Sequence, residues 1–177
     1  MSIGLQRGSV KLVPHDPNWS REFKQEVARL RALLPEDLGP FEHVGSTSIP
    51  GIPAKPIIDF MVGVADARRG LELESILNGA GYEHRSNGDN TDRVLFVLGP
   101  ESCRTHHLSF VTLGSPQWRN SLGFRDLLRS DPSLAARYAD LKQKLAGKYS
   151  DDRNSYTREK EPFFQEVFEI VAMKGNN

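Results

Sequence analysis

Residues 42–64 read EHVGSTSIPGIPAKPIIDFMVGV, and this stretch decides the fold. Residues 57–64 form an apolar run rich in β-branched side chains and interrupted by Asp59, which is typical of a strand, and residues 42–44 are a shorter strand candidate. Between them stand a glycine, three consecutive hydroxyl residues and three prolines, a composition that marks a turn. The stretch therefore predicts two strands joined by a rigid, proline-containing connection.

The connection has the composition of a phosphate-binding turn. Gly45 lets a ligand approach the backbone closely, and Ser46, Thr47 and Ser48 offer hydroxyl groups beside free N–H groups that can form an anion-binding nest. Lys55 would add positive charge to the same site. An alternative interpretation is a rigid loop that binds nothing, and the residues by themselves leave both open.

Asp59 stands inside the apolar second strand. A carboxylate there needs a hydrogen bond, a cation or a metal ion, because an unpaired buried charge is very costly. We predict Asp59 as a catalytic residue and a weak metal ligand. The plainer alternative is that it accepts hydrogen bonds from neighbouring backbone amides.

The pattern on either side of this stretch predicts an α+β domain that spans residues 1–177, with a sheet core at about 40–115 and a helical part at about 116–173. Strands 93–98 and 107–113 form the predicted antiparallel hairpin. The other predicted elements are a helix over residues 17–34 with Asp16 as its N-cap, a helix from Asp66 to Leu77, a weak strand at 82–85, and helices that start at Pro116, Pro132 and Thr157.

Composition narrows the class of protein. The 177 residues carry 23 basic and 23 acidic side chains, so the formal net charge is zero and nucleic acid is not an expected partner. No apolar run approaches the roughly 20 residues of a membrane span, and no secretory signal is present, so we expect a cytoplasmic protein without membrane contact. The single cysteine, Cys103, excludes a disulfide framework. A monomer is the default expectation.

The charges are unevenly distributed along the chain. Residues 1–34 carry a net +3, residues 35–115 carry −5 and residues 116–177 carry +2. One interpretation is ordinary surface variation, since charge patterning is a weak guide. The other is an acidic sheet facing basic helices, which predicts a cleft with cation ligands on one wall and phosphate ligands on the other.

The sequence resembles the GrpB family, also called UPF0157, within the nucleotidyltransferase superfamily. The resemblance rests on VKLVPHDPNW at residues 10–19, residues 42–64, His107-Leu108, FRDLLRSDP at residues 124–132, and Tyr156-Thr157 with Lys160. It implies a nucleotidyltransferase-like mixed or antiparallel sheet. It also implies that Gly45 and Ser46 hold nucleotide phosphates and that Asp59 is the first of two acids that bind Mg²⁺ or Mn²⁺.

The chain departs from the superfamily pattern where the second acid belongs. Met61 stands there, and a thioether is not a ligand for a hard Mg²⁺ ion. The neighbouring strand, which supplies a third acid in many active members, offers His107 and Ser109 instead. We predict an acid–base pair of Asp59 and His107, with hydrogen-bonded strand histidines as the plainer alternative for His106 and His107.

Arg125, Tyr156 and Lys160 complete the predicted site. Arg125 and Arg129 lie four residues apart on one helix face, where they would clamp a phosphate or instead pair with nearby acids. Tyr156 and Lys160 stand near the start of the last predicted helix, from which Lys160 would reach the phosphate turn. The alternative is a solvated helix start capped by Thr157.

Two functions from different classes fit these residues. One is an enzyme that binds a nucleotide or another phosphorylated small molecule and performs metal-dependent nucleotidyl transfer. The other is a non-catalytic module that assists folding or assembly, because relatives of the family occur fused to dephospho-CoA kinase, which also predicts a protein partner in coenzyme A metabolism. The acid missing at Met61 favours the module, and the Gly45-Ser46 turn with Asp59 favours the enzyme.

Overall fold

A computed structural model describes residues 3–175 as an α+β fold, so the two ends of the predicted 1–177 domain lie outside the described residues. Five strands form one sheet: β1 (Phe41–Val44), β2 (Ile58–Val64), β3 (Tyr82–His84), β4 (Arg93–Leu98) and β5 (His106–Thr112). The helices are α1 (Asn18–Arg31), α2 (Arg69–Glu72), α3 (Glu74–Gly79), α4 (Pro116–Ser130), α5 (Pro132–Lys148), α6 (Arg153–Arg158) and α7 (Glu161–Gly175).

The sheet is mixed, with the strand order β1-β2-β5-β4-β3. β2 and β5 pair in parallel, and every other neighbouring pair is antiparallel. The predicted hairpin of β4 and β5 is therefore confirmed. The parallel pairing brings residues 58–64 beside residues 106–112, so two segments distant in sequence form the centre of the sheet.

Alternate residues of the central strands bury their side chains on one face of the sheet. Phe60, Leu108, Phe110 and Phe96 pack there with Trp19 of α1, forming the larger core. The side chains between them, including Asp59 and His107, point to the opposite face, because successive side chains of a strand alternate in direction. That second face forms the floor of a cleft beside α6 and α7.

The C-terminal helices have a core of their own. Phe124 of α4 packs against Tyr138 of α5 and Phe163 of α7, with ring centroids 5.3 and 6.3 Å away. Ile49 and Ile52 of the proline-rich connection join this cluster. The connection is thereby held between the sheet and the helices.

Several element boundaries differ from the predictions. α1 begins at Asn18 and ends at Arg31, and Pro17 rather than Asp16 occupies the N-cap, although Asp16 Oδ1 accepts a hydrogen bond from the Asn18 N–H at 2.9 Å. The helix predicted from Asp66 to Leu77 is two short helices, α2 and α3. The connection contains only a 3₁₀ turn at Ser46–Ser48, as its prolines imply.

The end of the chain differs most. Thr157 does not open the last helix, because it lies within α6, whose N-cap is Asp152, and α7 begins at Glu161. Lys160 therefore occupies the corner between α6 and α7. The predicted start of α5 is confirmed, since the Asp131 side chain accepts a hydrogen bond from the Leu134 N–H at 2.9 Å. Within residues 3–175, no helix has the length and hydrophobicity that crossing a bilayer requires.

Candidate functional site

A cleft of about 1000 Å³ lies between the open face of the sheet and helices α6 and α7, and the N-terminal segment at residues 5–9 borders it. Its floor is built from β2, β5 and β4. Of the predicted site residues, the cleft brings together Gly45, Ser46, Lys55, Asp59, His107 and Lys160.

Asp59 and His107 form a hydrogen-bonded pair on the floor. They are opposite each other in the parallel register of β2 and β5, and His107 Nδ1–H donates to Asp59 Oδ1 at 2.8 Å. The Asp59 side chain is 41% exposed and that of His107 is 22% exposed, so both are open to the cleft. With Nδ1 engaged as the donor, the neutral imidazole has Nε2 as its acceptor.

The pKa of Asp59 reflects two opposing influences. Enclosure by protein raises it, but the hydrogen bond from His107 and the electrostatic effects of His107, His43 and Lys160 together outweigh that effect. The pKa of Asp59 therefore lies below its usual range, and the carboxylate is ionised at neutral pH.

The residues of the Gly45–Ser48 turn face in two directions, the first two towards the cleft and the last two away from it. Gly45 has φ +68°, in the left-handed region, and a Cβ there would lie 2.7 Å from Asp59 Oδ2. Ser46 faces the cleft, where its hydroxyl donates to the Tyr138 hydroxyl at 3.4 Å. Thr47 and Ser48 are buried and do not line the cleft: Thr47 Oγ1 contacts His43 Nε2 at 3.0 Å, and Ser48 Oγ donates to the Gly45 carbonyl at 2.7 Å.

Arg125 is also absent from the cleft lining. Its guanidinium pairs with Glu42 at 2.6 Å and with Asp126 at 2.7 Å, and it donates to the His43 carbonyl at 3.2 Å. Arg129, four residues later, donates from Nε to the Ser48 carbonyl at 2.9 Å. The two arginines share one helix face as predicted, but that face holds the backbone on either side of the turn.

Lys55 and Lys160 converge on the ring of Tyr156. Each Nζ lies 4.6 Å from the ring centroid, and both side chains line the cleft. Tyr156 is buried beneath them and does not line the cleft itself. Burial and, to a lesser extent, repulsion from Arg153 lower the pKa of each lysine to about 8, and repulsion from Lys160 contributes at Lys55. Among the described residues, no carboxylate lies within 4.0 Å of either ammonium group.

The cleft is basic on both walls. Of the described residues that line it, eight are Lys or Arg and two, Asp59 and Glu161, are acidic. The eight are Arg7, Lys55, Arg85, Arg93, Arg104, Arg153, Arg158 and Lys160. The predicted acidic wall is therefore wrong, because most acids of the sheet region, such as Asp66 and Glu72, lie outside this cleft.

The donors around Asp59 do not fit the two-acid metal site of a nucleotidyltransferase. Met61 is buried on the floor two residues from Asp59, and Ser109 is its partner on β5. The described residues contain no group of three or more His, Cys, Asp or Glu side chains placed to hold a metal ion. A single carboxylate with one oxygen already bonded to His107 is a poor site for Mg²⁺ or Mn²⁺.

Several residues of the cleft lining were missed by the sequence prediction. Tyr138 was assigned to a helix core by its spacing, and Arg153 fell in a segment interpreted as a polar connection. Lys142, which was not singled out, contacts the Tyr138 ring but does not line the cleft. Lys142 is buried, donates to the Pro53 carbonyl, and lies 4.5 Å from the Tyr138 ring centroid. Burial lowers its pKa to about 7. Its position on the buried face of α5 was the only available signal.

Similar proteins cover nearly the whole chain. A family model described as GrpB protein matches residues 9–169. The glutamate-rich protein GrpB of Alkalihalophilus pseudofirmus is 36% identical over 169 residues, covering 93% of this chain and 97% of the relative. A UPF0157 protein of Pseudomonas aeruginosa is 40% identical over 156 residues, covering 86% of this chain and 63% of the relative. A dephospho-CoA kinase of Mycolicibacterium paratuberculosis is 28% identical over 188 residues, covering 93% of this chain and 46% of the kinase.

Solved structures agree with the fold. The crystal structure of conserved protein GrpB from Enterococcus faecalis superposes with a TM-score of 0.85 at 31% identity, covering 94% of this chain and all of that chain. The Cid1 poly(U) polymerase in its MgGTP-bound form superposes with a TM-score of 0.53 at 14% identity, covering 76% of this chain and 44% of that chain. At 14% identity the likeness to Cid1 concerns the fold alone.

Proposed function

Because the chain belongs to the GrpB family and has a fold similar to that of nucleotidyltransferases, we propose that its cleft binds a nucleotide or another phosphorylated small molecule. The phosphate lies against the Gly45-Ser46 turn and between Lys55 and Lys160. The observation that carries this proposal is the convergence of two lysines on Tyr156, 4.6 Å from its ring centroid, in a cleft with eight basic and two acidic lining residues.

The floor of the cleft has hydrogen-bond donors for a phosphate group and a histidine that can accept a proton from the bound ligand. Ser46 and the backbone of the left-handed Gly45 turn offer hydrogen-bond donors to phosphate oxygens. His107, oriented by Asp59, presents Nε2 as a base within the cleft, the arrangement by which a carboxylate orients a catalytic histidine. The apolar side chains of Met61, Leu95 and Phe164 line the same cleft and would contact the uncharged part of the ligand.

Thermal unfolding with a panel of nucleotides and coenzyme A precursors tests the proposal. A ligand that binds the folded form raises the melting temperature in a concentration-dependent way. We expect Ser46→Ala and Asp59→Asn to reduce that rise. Ser150→Ala is the matched control, because the Ser150 hydroxyl is exposed and donates only to Asp151. A rise that survives both cleft substitutions would place the ligand elsewhere, and no rise with any compound contradicts the proposal.

A second candidate function is supported by the residues that replace the metal-binding acids. Met61 and Ser109 stand where an active nucleotidyltransferase would carry carboxylates, so the chain resembles a fold that has kept a binding cleft without the transfer chemistry. The similarity to a dephospho-CoA kinase over 46% of that kinase's length supports a role as an accessory module that contacts an enzyme of coenzyme A metabolism.

Binding to a purified dephospho-CoA kinase domain from the same organism distinguishes the two candidates. An accessory module would form a complex by analytical ultracentrifugation and raise the melting temperature of the kinase domain. If the two chains sediment independently and melt as they do alone, the accessory function is wrong. A ligand-induced shift of this chain in the absence of the kinase favours the first proposal.

A further inference from the structure

Eight basic side chains line the cleft, and the described residues contain no cluster of acids or histidines that would hold a metal ion there. Asp59 is the only carboxylate that the described floor of β2, β5 and β4 offers to the cleft, and its Oδ1 accepts the His107 hydrogen bond. The residues that flank this pair on the floor are Met61 and Ser109. A thioether and a hydroxyl do not supply the anionic oxygens that hold Mg²⁺ beside a phosphate.

Hydrogen bonds and buried neighbours hold the backbone at the two cleft lysines, Lys55 and Lys160. Lys55 lies between Ala54, which is fully buried and exchanges hydrogen bonds with Val13, and the buried Pro56. Lys160 occupies the corner between α6 and α7, and its carbonyl accepts hydrogen bonds from the first turn of α7. Tyr156, whose ring both ammonium groups contact at 4.6 Å from its centroid, is fully buried. The backbone of each lysine is therefore held in place, and both side chains contact one buried ring.

Two ammonium groups so placed repel each other, and Arg153 adds to the repulsion. Asp59 attracts both lysines, and Glu161 attracts Lys160, but neither carboxylate comes within 4.0 Å of an ammonium group within residues 3–175. An arrangement of like charges without a close counter-ion is stabilised by a ligand that supplies two negative charges. A phosphate dianion has that charge and enough oxygens to accept hydrogen bonds from both lysines.

We infer that Lys55 and Lys160, supported by Tyr156, form a metal-independent subsite for a phosphate dianion. The ligand is a small molecule with a terminal phosphate that binds as the free dianion rather than as its magnesium chelate. This inference rests on the proposed binding of a phosphorylated ligand and adds the condition that no divalent cation is needed.

Pyridoxal 5′-phosphate is a suitable probe, because it carries a phosphate dianion and an aldehyde. A nearby unprotonated amine attacks the aldehyde carbon, water leaves, and borohydride then adds hydride to the imine to give a stable secondary amine that mass spectrometry can locate. We expect labelling of Lys55 or Lys160 at neutral pH to be at least about tenfold faster than labelling of Lys148, because a lower pKa leaves more of the amine unprotonated.

Lys148 is the matched control for this comparison. Its Nζ also lies over a tyrosine ring, 5.0 Å from the centroid of Tyr149, but it is outside the cleft and its pKa is raised. Equal labelling of Lys148 and the cleft lysines would overturn the inference.

Protection experiments separate this inference from the proposed function. We expect pyrophosphate and ATP to protect the cleft lysines equally well in EDTA and in Mg²⁺. Protection that requires Mg²⁺ would overturn the metal-independent subsite and leave the proposed function standing. An absence of protection by every phosphorylated compound, with or without Mg²⁺, would contradict both.

Variants complete the test. Lys160→Met should abolish protection of Lys55, and Lys160→Arg should retain it, because arginine restores the charge and the hydrogen-bond donors. Lys148→Met should leave protection unchanged. If Lys160→Met does not fold, the location of the label on the unmodified chain and the protection seen in the Lys160→Arg variant still decide the outcome. Protection that is equal in Lys160→Met and the unmodified chain would overturn the inference.

Discussion

His107 donates the hydrogen on Nδ1 to Oδ1 of Asp59 across 2.8 Å, and the two residues are direct partners in the parallel register of β2 and β5. This contact holds the imidazole ring in one orientation above the sheet. It also helps to keep the carboxylate ionised, because the hydrogen bond acts with the electrostatic effects of His107, His43 and Lys160, and together they outweigh the effect of enclosure on the pKa of Asp59.

Replacing His107 by alanine should raise the pKa of Asp59. The substitution removes both the hydrogen bond and the nearby charge, and leaves the upward effect of enclosure less opposed. Carbon-detected NMR titration of the aspartate carboxyl groups measures the change. His84→Ala is the control, because it removes a His–Asp contact of equal length, 2.8 Å to Asp89, outside the cleft. An unchanged Asp59 pKa in His107→Ala would refute the pairing.

Replacing Gly45 by alanine should destabilise the fold more than replacing Gly51. Both glycines have positive φ, +68° and +79°, so each substitution adds backbone strain of about 1–3 kcal/mol. Only at Gly45 would the new Cβ also meet the Asp59 side chain, whereas nothing lies within 4 Å of the corresponding position at Gly51. Urea unfolding measures both variants, and equal losses would argue against close approach of the turn to Asp59.

Replacing Met61 by aspartate should create a response to divalent cations. The new carboxylate would point to the same face as Asp59, two residues away on β2, and two carboxylates can hold a hard cation together. We expect Mn²⁺ to raise the melting temperature of Met61→Asp and to leave that of the unmodified chain unchanged. Met61→Asn controls for the polarity of the new side chain. A similar Mn²⁺ response in the unmodified chain would contradict the account of the floor.

Replacing Lys142 by methionine should change how stability depends on pH. Burial lowers the folded-state pKa of Lys142 from 10.5 to about 7, so between these values the unfolded chain binds more protons than the folded chain. The free energy of unfolding of the unmodified chain therefore gains a contribution as pH rises, roughly 2 kcal/mol from pH 7 to pH 9.

Lys142→Met lacks that contribution at every pH. The stability of the variant relative to the unmodified chain should accordingly be greatest near pH 7 and fall towards pH 9. Urea unfolding midpoints across this range measure the difference, and Lys144→Met is the control. A constant difference between the Lys142 variant and the unmodified chain would mean that Lys142 is not desolvated.

The fold could be predicted largely from local patterns. The strand-like runs at 93–98 and 107–113, joined by turn residues from Gly99 to Ser102, identified the hairpin, and Asp131-Pro132 identified the start of α5, because turns and helix caps depend on near neighbours. The start of the last helix was predicted wrongly, because that prediction also relied on local patterns alone. Asp152 caps the short α6, but residues 147–155 have no apolar periodicity from which a helix could be predicted.

The site was less predictable because its residues meet only in three dimensions. Gly45, Ser46 and Asp59 were predicted from the composition of residues 42–64, and the family resemblance added His107. Thr47 is buried against His43 on the side of the 3₁₀ turn away from the cleft, and Arg125 of α4 donates to the His43 carbonyl instead of lining the cleft. Sequence spacing does not determine which way these side chains face, and net charge counted over a segment does not reveal which charges share a cleft.

The parallel pairing of β2 with β5 has a consequence for how the protein folds. Residues 58 and 106 are partners although 47 residues separate them along the chain, so the chain must close a long loop before this pair of strands can form. Non-local pairing of this kind slows folding. A nascent chain that ends before β5 has no partner for Asp59 on that side of β2, so the floor of the cleft cannot form until residue 112 has been synthesised.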